Sequence, residues 1–537
     1  PDPPAGGYIP LAVVDTDDTS VVRIGDLRPM AQVLHIHNIT SLKALSIQPP
    51  VGHFIYLAGR AIIGDGGEGL FYWDASDVSA KVAVDTQNGI YVPPDSDSTG
   101  ASGAWVRFYD DGYYVDWFGA VADNTTDCAA AIQACIDFVA TLNNGGTVRG
   151  RAGDYAIASG LVWKPKVSFD FDKHFRLRAS AVMTAMLTAE VGAGNRIKRV
   201  ALRGGWFDAD LVAEAVLYLK EWEAVELSGM KLTACNGDYI HLGAAGQSSA
   251  PFELDAHNIL ITRQAAAFTT ETPRGIFSDQ DGYGTSDSNF ADIVIHGCER
   301  GVDGKFYSCR FYAVHPWANK TADGTMTRGF SLQGNNNMLQ GCDSDNASAY
   351  HYYFDGVRNI ITECKTNRGT DYSDASGAVV HLVSGSSLVA KNNIFSAQSA
   401  SYRINNEFSG DTSKLHAENN FTNNIVNVFG NQGAGLVEAQ INFTTNAGAD
   451  PTVNSSYNVA SISRLTDYDY TIYIDRDMSD TEYDVNISQT AVSYPQMIIP
   501  VLRERSTDRV RVQFYDPSGT LVRPNNVTVS VMGKSRI

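Results

Sequence analysis

Leu339-Gln-Gly-Cys342 and Ile361-Thr-Glu-Cys364 carry one pattern, an apolar residue, two spacers and a cysteine, and an asparagine precedes each cysteine by five positions, Asn337 and Asn359. The two copies stand 22 residues apart. Working outward, the pattern returns as Phe306-Tyr-Ser-Cys309, Ile295-His-Gly-Cys298 and Leu232-Thr-Ala-Cys235, and Asn393-Ile-Phe-Ser-Ala reads as a further copy with its cysteine replaced. A period of about 22 residues, built of β-prone runs punctuated by Asn and Gly, is the signature of a β-solenoid. One such coil cannot bury its own apolar residues, whereas stacked coils can. Irregular gaps, such as Cys235 to Cys298, read as loops thrown out of the coils, and the close pair Cys298 and Cys309 as different sides of one coil.

The flanks differ in style. Residues 1–40 are rich in Pro and Asp and read as a linker; residues 41–115 alternate β-prone pieces with turns such as Gly64-Asp-Gly-Gly-Glu-Gly and read as a small β domain. Thr126-Asp127 precede Cys-Ala-Ala-Ala-Ile-Gln-Ala-Cys-Ile-Asp-Phe-Val139, an apolar-faced helix that either residue could N-cap. A lone helix before a long β region suggests a lid on an open apolar end. The solenoid is assigned to 116–435. From residue 436 to 537, period-two runs such as Tyr468-Asp-Tyr-Thr-Ile-Tyr-Ile and Val510-Arg-Val-Gln-Phe predict a terminal β-sandwich. The predicted class is all-β.

Composition narrows the function. A net charge of -19 argues against phosphate-neutralising nucleic-acid binders, and no apolar run approaches the ~18 residues of a membrane span. Seven cysteines without a Cys-x-x-Cys pair indicate neither a zinc site nor a disulfide framework. The start lacks Met and any signal-peptide pattern, so an upstream attachment domain is expected.

The order of motifs resembles the tailspike depolymerases of tailed bacteriophages, which share a pectate-lyase-like right-handed parallel β-helix. The resemblance rests on Gly64-Asp-Gly-Gly-Glu-Gly before Phe71-Tyr-Trp, Trp105-Val-Arg, Trp117-Phe-Gly-Ala with Asp123 and Thr126-Asp127, then Gly145-Gly-Thr-Val and Gly153-Asp-Tyr, over roughly residues 50–165. The family usually has Asp-Gly where this chain has Asp123-Asn124. The resemblance implies a homotrimer on the virion tail, acting outside the host on O-antigen or capsule. It leaves the reaction open, since fold does not fix chemistry.

Three groups of candidate residues follow. If each repeat cysteine points inward, its successor points outward, and Asn236, Glu299, Arg310, Asp343 and Lys365 form an external column, either a sugar-binding groove or a ladder of surface charges. The segment from Ser278 to Asn289 gathers Asp279, Asp281, Tyr283 and Asp287; it faintly resembles a calcium loop, but Phe290 stands where the closing acid belongs, so no cofactor or metal is assigned. The third group is His315, Trp317, Lys320, Arg328, Asp343, Asp345, His351 and Tyr352, where aromatic rings suit sugar stacking.

Two reactions compete for these residues. Hydrolysis needs two carboxyl groups, about 5–5.5 Å apart for retention or 6.5–9.5 Å for inversion, and Asp343 with Asp345 on one strand could serve. Elimination from a uronic acid needs cations and a base, and Arg274, Arg328, Lys320, His315, Tyr283 and His351 offer them. Elimination is the preferred expectation and hydrolysis the alternative. The assigned roles are catalysis for His315, Asp343, Asp345, Tyr283, Asp279, Asp281, Arg328 and Lys320, and substrate binding for Trp317, Arg274, Asp287, Glu299, Arg310, His351 and Tyr352. A non-catalytic adhesin on the same solenoid is the third reading.

Overall fold

The Asn/Gly punctuation around Cys342 divides each coil into three short strands. In the computed structural model Arg328–Gln333 is followed by Met338–Gln340 and, beyond the corner at Cys342, by Asp343–Asp345. The next coil repeats this as Tyr350–Asp355, Asn359–Thr362 and Lys365–Asn367. Counterparts pair in parallel from coil to coil, as in Phe330, Tyr352 and Val380, or Leu339, Ile361 and Ala390. Upstream the second and third strands fuse into the long strands Phe252–Thr262, Asn289–His296 and Arg310–Trp317. The result is the expected right-handed parallel β-helix. The structure describes residues 12–16, 21–26, 34–45, 54–109, 112–190, 196–263 apart from 246, 248 and 249, 272–319 apart from 280 and 282, 324–367, 378–396, and strand segments between 404 and 533.

Two devices hold the coils in register. Inside, apolar side chains stack in files: Phe290 on Phe311 at 4.9 Å, Phe330 on Tyr352 at 5.4 Å. At the corners, buried side chains cap the backbone of the neighbouring coil. Asn337 Oδ1 accepts the Cys309 N–H at 3.1 Å, and Asn359 Oδ1 accepts the Asn337 N–H at 3.0 Å. A second corner repeats this, with Asn393 Oδ1 accepting the Cys364 N–H at 2.9 Å and Asn420 Oδ1 accepting the Asn393 N–H at 3.1 Å. All four asparagines are buried, so each amide satisfies groups that water cannot reach.

All seven cysteines are buried thiols; Cys128 and Cys135 belong to the capping helix, and the five of the repeat pattern occupy three corners instead of one. Cys309 aligns with the Asn337 corner and Cys342 with Cys364, while Cys235 and Cys298 each lead into a strand of the first sheet, Asp238–Leu242 and Arg300–Tyr307. Cys298 and Cys309 thus flank one strand, on different sides of the coil. The single outward column is overturned by the same fact: only Asp343 and Lys365 are neighbours, and Arg310 lies opposite Asn289 and Met338.

The chain divides into two compact units, 1–111 with 116–119, and 112–115 with 120–537. In the first, a five-stranded sheet packs Ile55, Leu57, Phe71, Trp73, Val92 and Trp105 into a core. Its Gly64–Gly69 turn is organised by Asp65, whose carboxylate accepts the N–H groups of Arg60, Ala61, Ile62 and Gly67. In the second, the helix Ala129–Thr141 turns Ile132, Cys135, Ile136, Phe138 and Val139 onto the first coil strands. Its N-cap is Cys128, just after the two candidates Thr126 and Asp127 that the sequence offered, and Asp127 accepts the Ala129 N–H at 3.0 Å. Two four-stranded antiparallel sheets near the C-terminus share a core of Ile441, Tyr470, Ile472, Val510, Val512, Phe514, Val527 and Val529, forming the sandwich.

Candidate functional site

Three successive strands of the first sheet open with the same words, Arg274-Gly-Ile, Arg300-Gly-Val and Arg328-Gly-Phe. The glycines explain the repeat. A Cβ on Gly275 would stand 2.5 Å from Ile295 Cγ2, on Gly301 2.3 Å from Pro316 Cβ, and on Gly329 2.1 Å from Ser344 Oγ, so the second position presses against the opposite wall of the coil. The arginines before them fall into register on consecutive coils. Cations stacked at a strand spacing of ~4.8 Å repel unless anions intervene. Here Asp238 takes Arg274 in a two-pronged pair at 2.6 and 2.9 Å, and buried Asp303 lies 2.9 Å from Arg300 and 3.8 Å from Arg274. Glu299 adds a contact of 3.2 Å to Arg300.

Where this row begins, Glu214, Tyr218, Asn236, Asp238, His241 and Arg274 line a cavity of about 430 Å³. Asp238 contacts His241 Nδ1 at 2.8 Å, which assigns the proton to that nitrogen and turns Nε2 into the acceptor. Nε2 makes no hydrogen bond among the described residues, and its nearest charged neighbour is Asp279, 3.6 Å away. Tyr218 stacks on the imidazole at 4.2 Å. Burial, reinforced by the charges of Asp279 and Asp238, pushes its phenol up, so it stays protonated and can donate. The cavity therefore holds an oriented base and a neutral acid side by side.

The residues proposed from sequence are divided between two faces. Arg274, Glu299, Arg328 and Asp279 join the arginine row and the cavity. Asp281 and Tyr283 follow Asp279 in an exposed turn, where the Asp281 N–H bonds the Asp279 carboxylate at 2.8 Å. Asp287 is exposed beyond that turn. His315, Trp317, Asp343 and Asp345 lie on the other sheet: His315 Nε2 is 3.2 Å from Asp345, and Trp317 stacks on His296 at 3.9 Å. The bond to Asp345 raises the His315 pKa against the opposing effect of burial. Asp343 and Asp345 flank buried Ser344 and share one face, as expected. Arg310 is exposed and stands apart from both groups. Lys320 lies outside the described residues.

Two assignments are corrected. His351 is buried with Nδ1 3.0 Å from Ser344 Oγ, and Tyr352 is buried with its hydroxyl donating to the carbonyls of Lys365 and Cys342 at 2.9 and 3.2 Å. Neither can touch a polymer outside the coil. The reason is local: His351 holds the same strand position as the three glycines, so two consecutive residues turn inward and simple alternation fails. Sequence reasoning missed Asp238, His241, Tyr218, Asp303 and Arg300. The recurrence of Arg-Gly-apolar was the signal that could have found the row.

Among the described residues no group of three or more His, Cys, Asp or Glu is disposed to hold a metal ion. Phe290, at the end of the acidic loop, is buried against Phe311.

No protein-family model matches the chain, and no curated protein matches it in sequence. Solved structures do. The full-length tailspike protein 2 from Escherichia coli O157:H7 bacteriophage CAB120 is 12% identical, with 94% of this chain and 74% of that chain covered at a TM-score of 0.53. The enzymatically active domain of bacteriophage CBA120 tailspike protein 2 is also 12% identical, covering 94% and 83% at 0.52. The tailspike protein of Acinetobacter baumannii phage AM24 is 11% identical, covering 92% and 93% at 0.47. Likeness at such identity speaks for architecture: the chain shares the β-helix fold of bacteriophage tailspike proteins.

Proposed function

We propose that this protein is a phage tailspike that binds and cleaves a bacterial surface polysaccharide within its chain, and that cleavage is a β-elimination at the cavity of Asp238, His241 and Tyr218. The observation that carries the reading is the His241 Nε2 left without a hydrogen bond among the described residues, on an imidazole that Asp238 fixes in the cavity lining beside a protonated phenol. With a uronic acid bound, Nε2 takes the proton α to the carboxylate. The electron pair closes a C=C bond, the bond to the glycosidic oxygen breaks, and Tyr218 protonates the departing oxygen. Asp238 balances the charge that His241 acquires, and Arg274 anchors Asp238. Solved tailspikes of this fold include an enzymatically active domain, which supports an enzymatic reading over an adhesin. A homotrimer carried on the tail and acting outside the host, with the terminal sandwich supporting the trimer, completes the proposal.

Hydrolysis is the second reading, favoured by Glu214, which lines the cavity, has no ion-pair partner among the described residues and could act with Asp279. A third placement keeps the chemistry on His315, Asp343 and Asp345, where a histidine and two carboxylates share a face.

The test begins with purified protein on lawns of candidate hosts, where a translucent halo marks depolymerisation and its absence on every host marks adhesion. Polysaccharide from the responding host then separates the reactions. Elimination raises the ultraviolet absorbance of a new C=C bond as the chain shortens; hydrolysis shortens it without that signal.

A further inference from the structure

The arginine row ends differently from how it begins. Arg300 is neutralised by Asp303, three residues on. In the next coil the register puts Ser331 in place of Asp303, and among the described residues Arg328 makes only a 3.2 Å bond to that hydroxyl. Among the described residues no carboxylate stands within ion-pair distance of Arg328. Its guanidinium instead lies over Tyr353, 4.0 Å from the ring centre, with Tyr350 at 5.9 Å.

The two tyrosines and His381 form a continuous shelf. His381 stacks on Tyr350 at 4.5 Å and on Tyr353 at 5.3 Å, and its Nδ1 is 2.8 Å from Ser409 Oγ. Burial, and then the positive charge of Arg328, lower the His381 pKa, so the shelf adds no cation of its own. Neither phenol is hydrogen-bonded among the described residues, and all four residues are partly exposed. A flat apolar surface with free hydroxyls at its edge and one uncompensated guanidinium above it suits a sugar ring bearing a carboxylate. A phosphate would gain little from the shelf, and a neutral sugar would leave the charge unanswered.

We infer that Arg328, Tyr350, Tyr353 and His381 form a binding subsite for an acidic sugar of the polymer, beginning at Arg328 three strand spacings, roughly 14 Å, along the sheet from Asp238. The subsite rests on the proposal that the chain binds a polysaccharide, but not on which face cleaves it.

Saturation-transfer NMR on the full chain, with methyl glucuronide, methyl galacturonide, methyl glucoside and glucose 6-phosphate as separate probes, tests it. Both uronides are expected to give at least three times the signal of the glucoside, and Arg328→Gln to remove that preference. Ser331→Asp supplies the counter-ion found one coil earlier and is expected to remove it as well, with the guanidinium still present. Circular dichroism and melting temperature establish that both variants are folded. Equal signals for uronides and glucoside overturn the inference, as does a preference surviving in folded Arg328→Gln, or a stronger signal from the sugar phosphate. His241→Ala is expected to keep the uronide preference while losing cleavage, so failure of the subsite and failure of the catalytic reading are told apart.

Discussion

The two outer faces of the solenoid use similar residues to different ends. On the face of Asp238 and the arginine row, Arg274 and Arg300 are interleaved with carboxylates and glycines bring backbones together, and a cavity opens where His241 is held by one nitrogen only. On the face of His315, the histidine is paired with Asp345, Trp317 lies flat on His296, and Asp343 sits beside Lys365. The first arrangement stores an unsatisfied acceptor; the second has answered most of its polar groups. What separates a candidate catalytic face from a laddered surface is therefore what is left without a partner, not the residue types present.

The comparison can be broken most directly by exchanging bases. His241→Ala is expected to lower the cleavage rate by about 10²–10⁴-fold, read as the ultraviolet signal on host polysaccharide, while His315→Ala and Asp343→Ala stay within a few-fold of the parent. Large losses in the latter pair with a mild effect at His241 would move the chemistry to the other face.

Beneath both faces lies the shared dry interior. Burial pushes the Cys342 thiol well up, with Cys364 adding to the effect. Cys342→Asp places a charge there without a partner and is expected to destabilise by several kcal/mol, seen as a drop in melting temperature, and to weaken activity only through unfolding. An unchanged melting temperature would mean that the position meets water. At the corners, Asn359→Ala leaves the Asn337 N–H without its acceptor and is expected to cost about 1–3 kcal/mol on denaturant titration.

The smallest effect concerns pH. The folded pKa of His315 is raised by Asp345, so the contribution of the pair is fully present below the unfolded value of about 6.5 and fades as pH rises through the raised one. Both side chains are about one-third exposed, which holds the contribution below about 1 kcal/mol. His315→Gln should therefore lower the melting temperature slightly at pH 5.5 and not at pH 9. An equal loss at both would assign His315 a packing role alone.

Much of the architecture was legible because coils repeat. Asn337 and Asn359, five residues ahead of Cys342 and Cys364, mark a period that only stacking satisfies, and their amides turn out to cap the coil behind. The site was less legible for two reasons. The cysteines mark three corners that look alike in sequence, so the residue after each one points in unrelated directions. The Arg-Gly repeat, which marks the other sheet, is spaced irregularly because loops of different length separate its copies. His351 and Tyr352 were misplaced where two neighbouring residues turn inward together, a break in alternation that only the packing against Ser344 explains.

The asparagine corners bear on how such a protein diversifies. Because each amide grips the backbone of the adjacent coil, alignment is set locally and does not depend on how far the chain wanders between corners. Segments that leave a coil and return can lengthen, shorten or be replaced wholesale while the winding persists. New binding targets can then be met by rewriting peripheral excursions, with the spring itself left untouched.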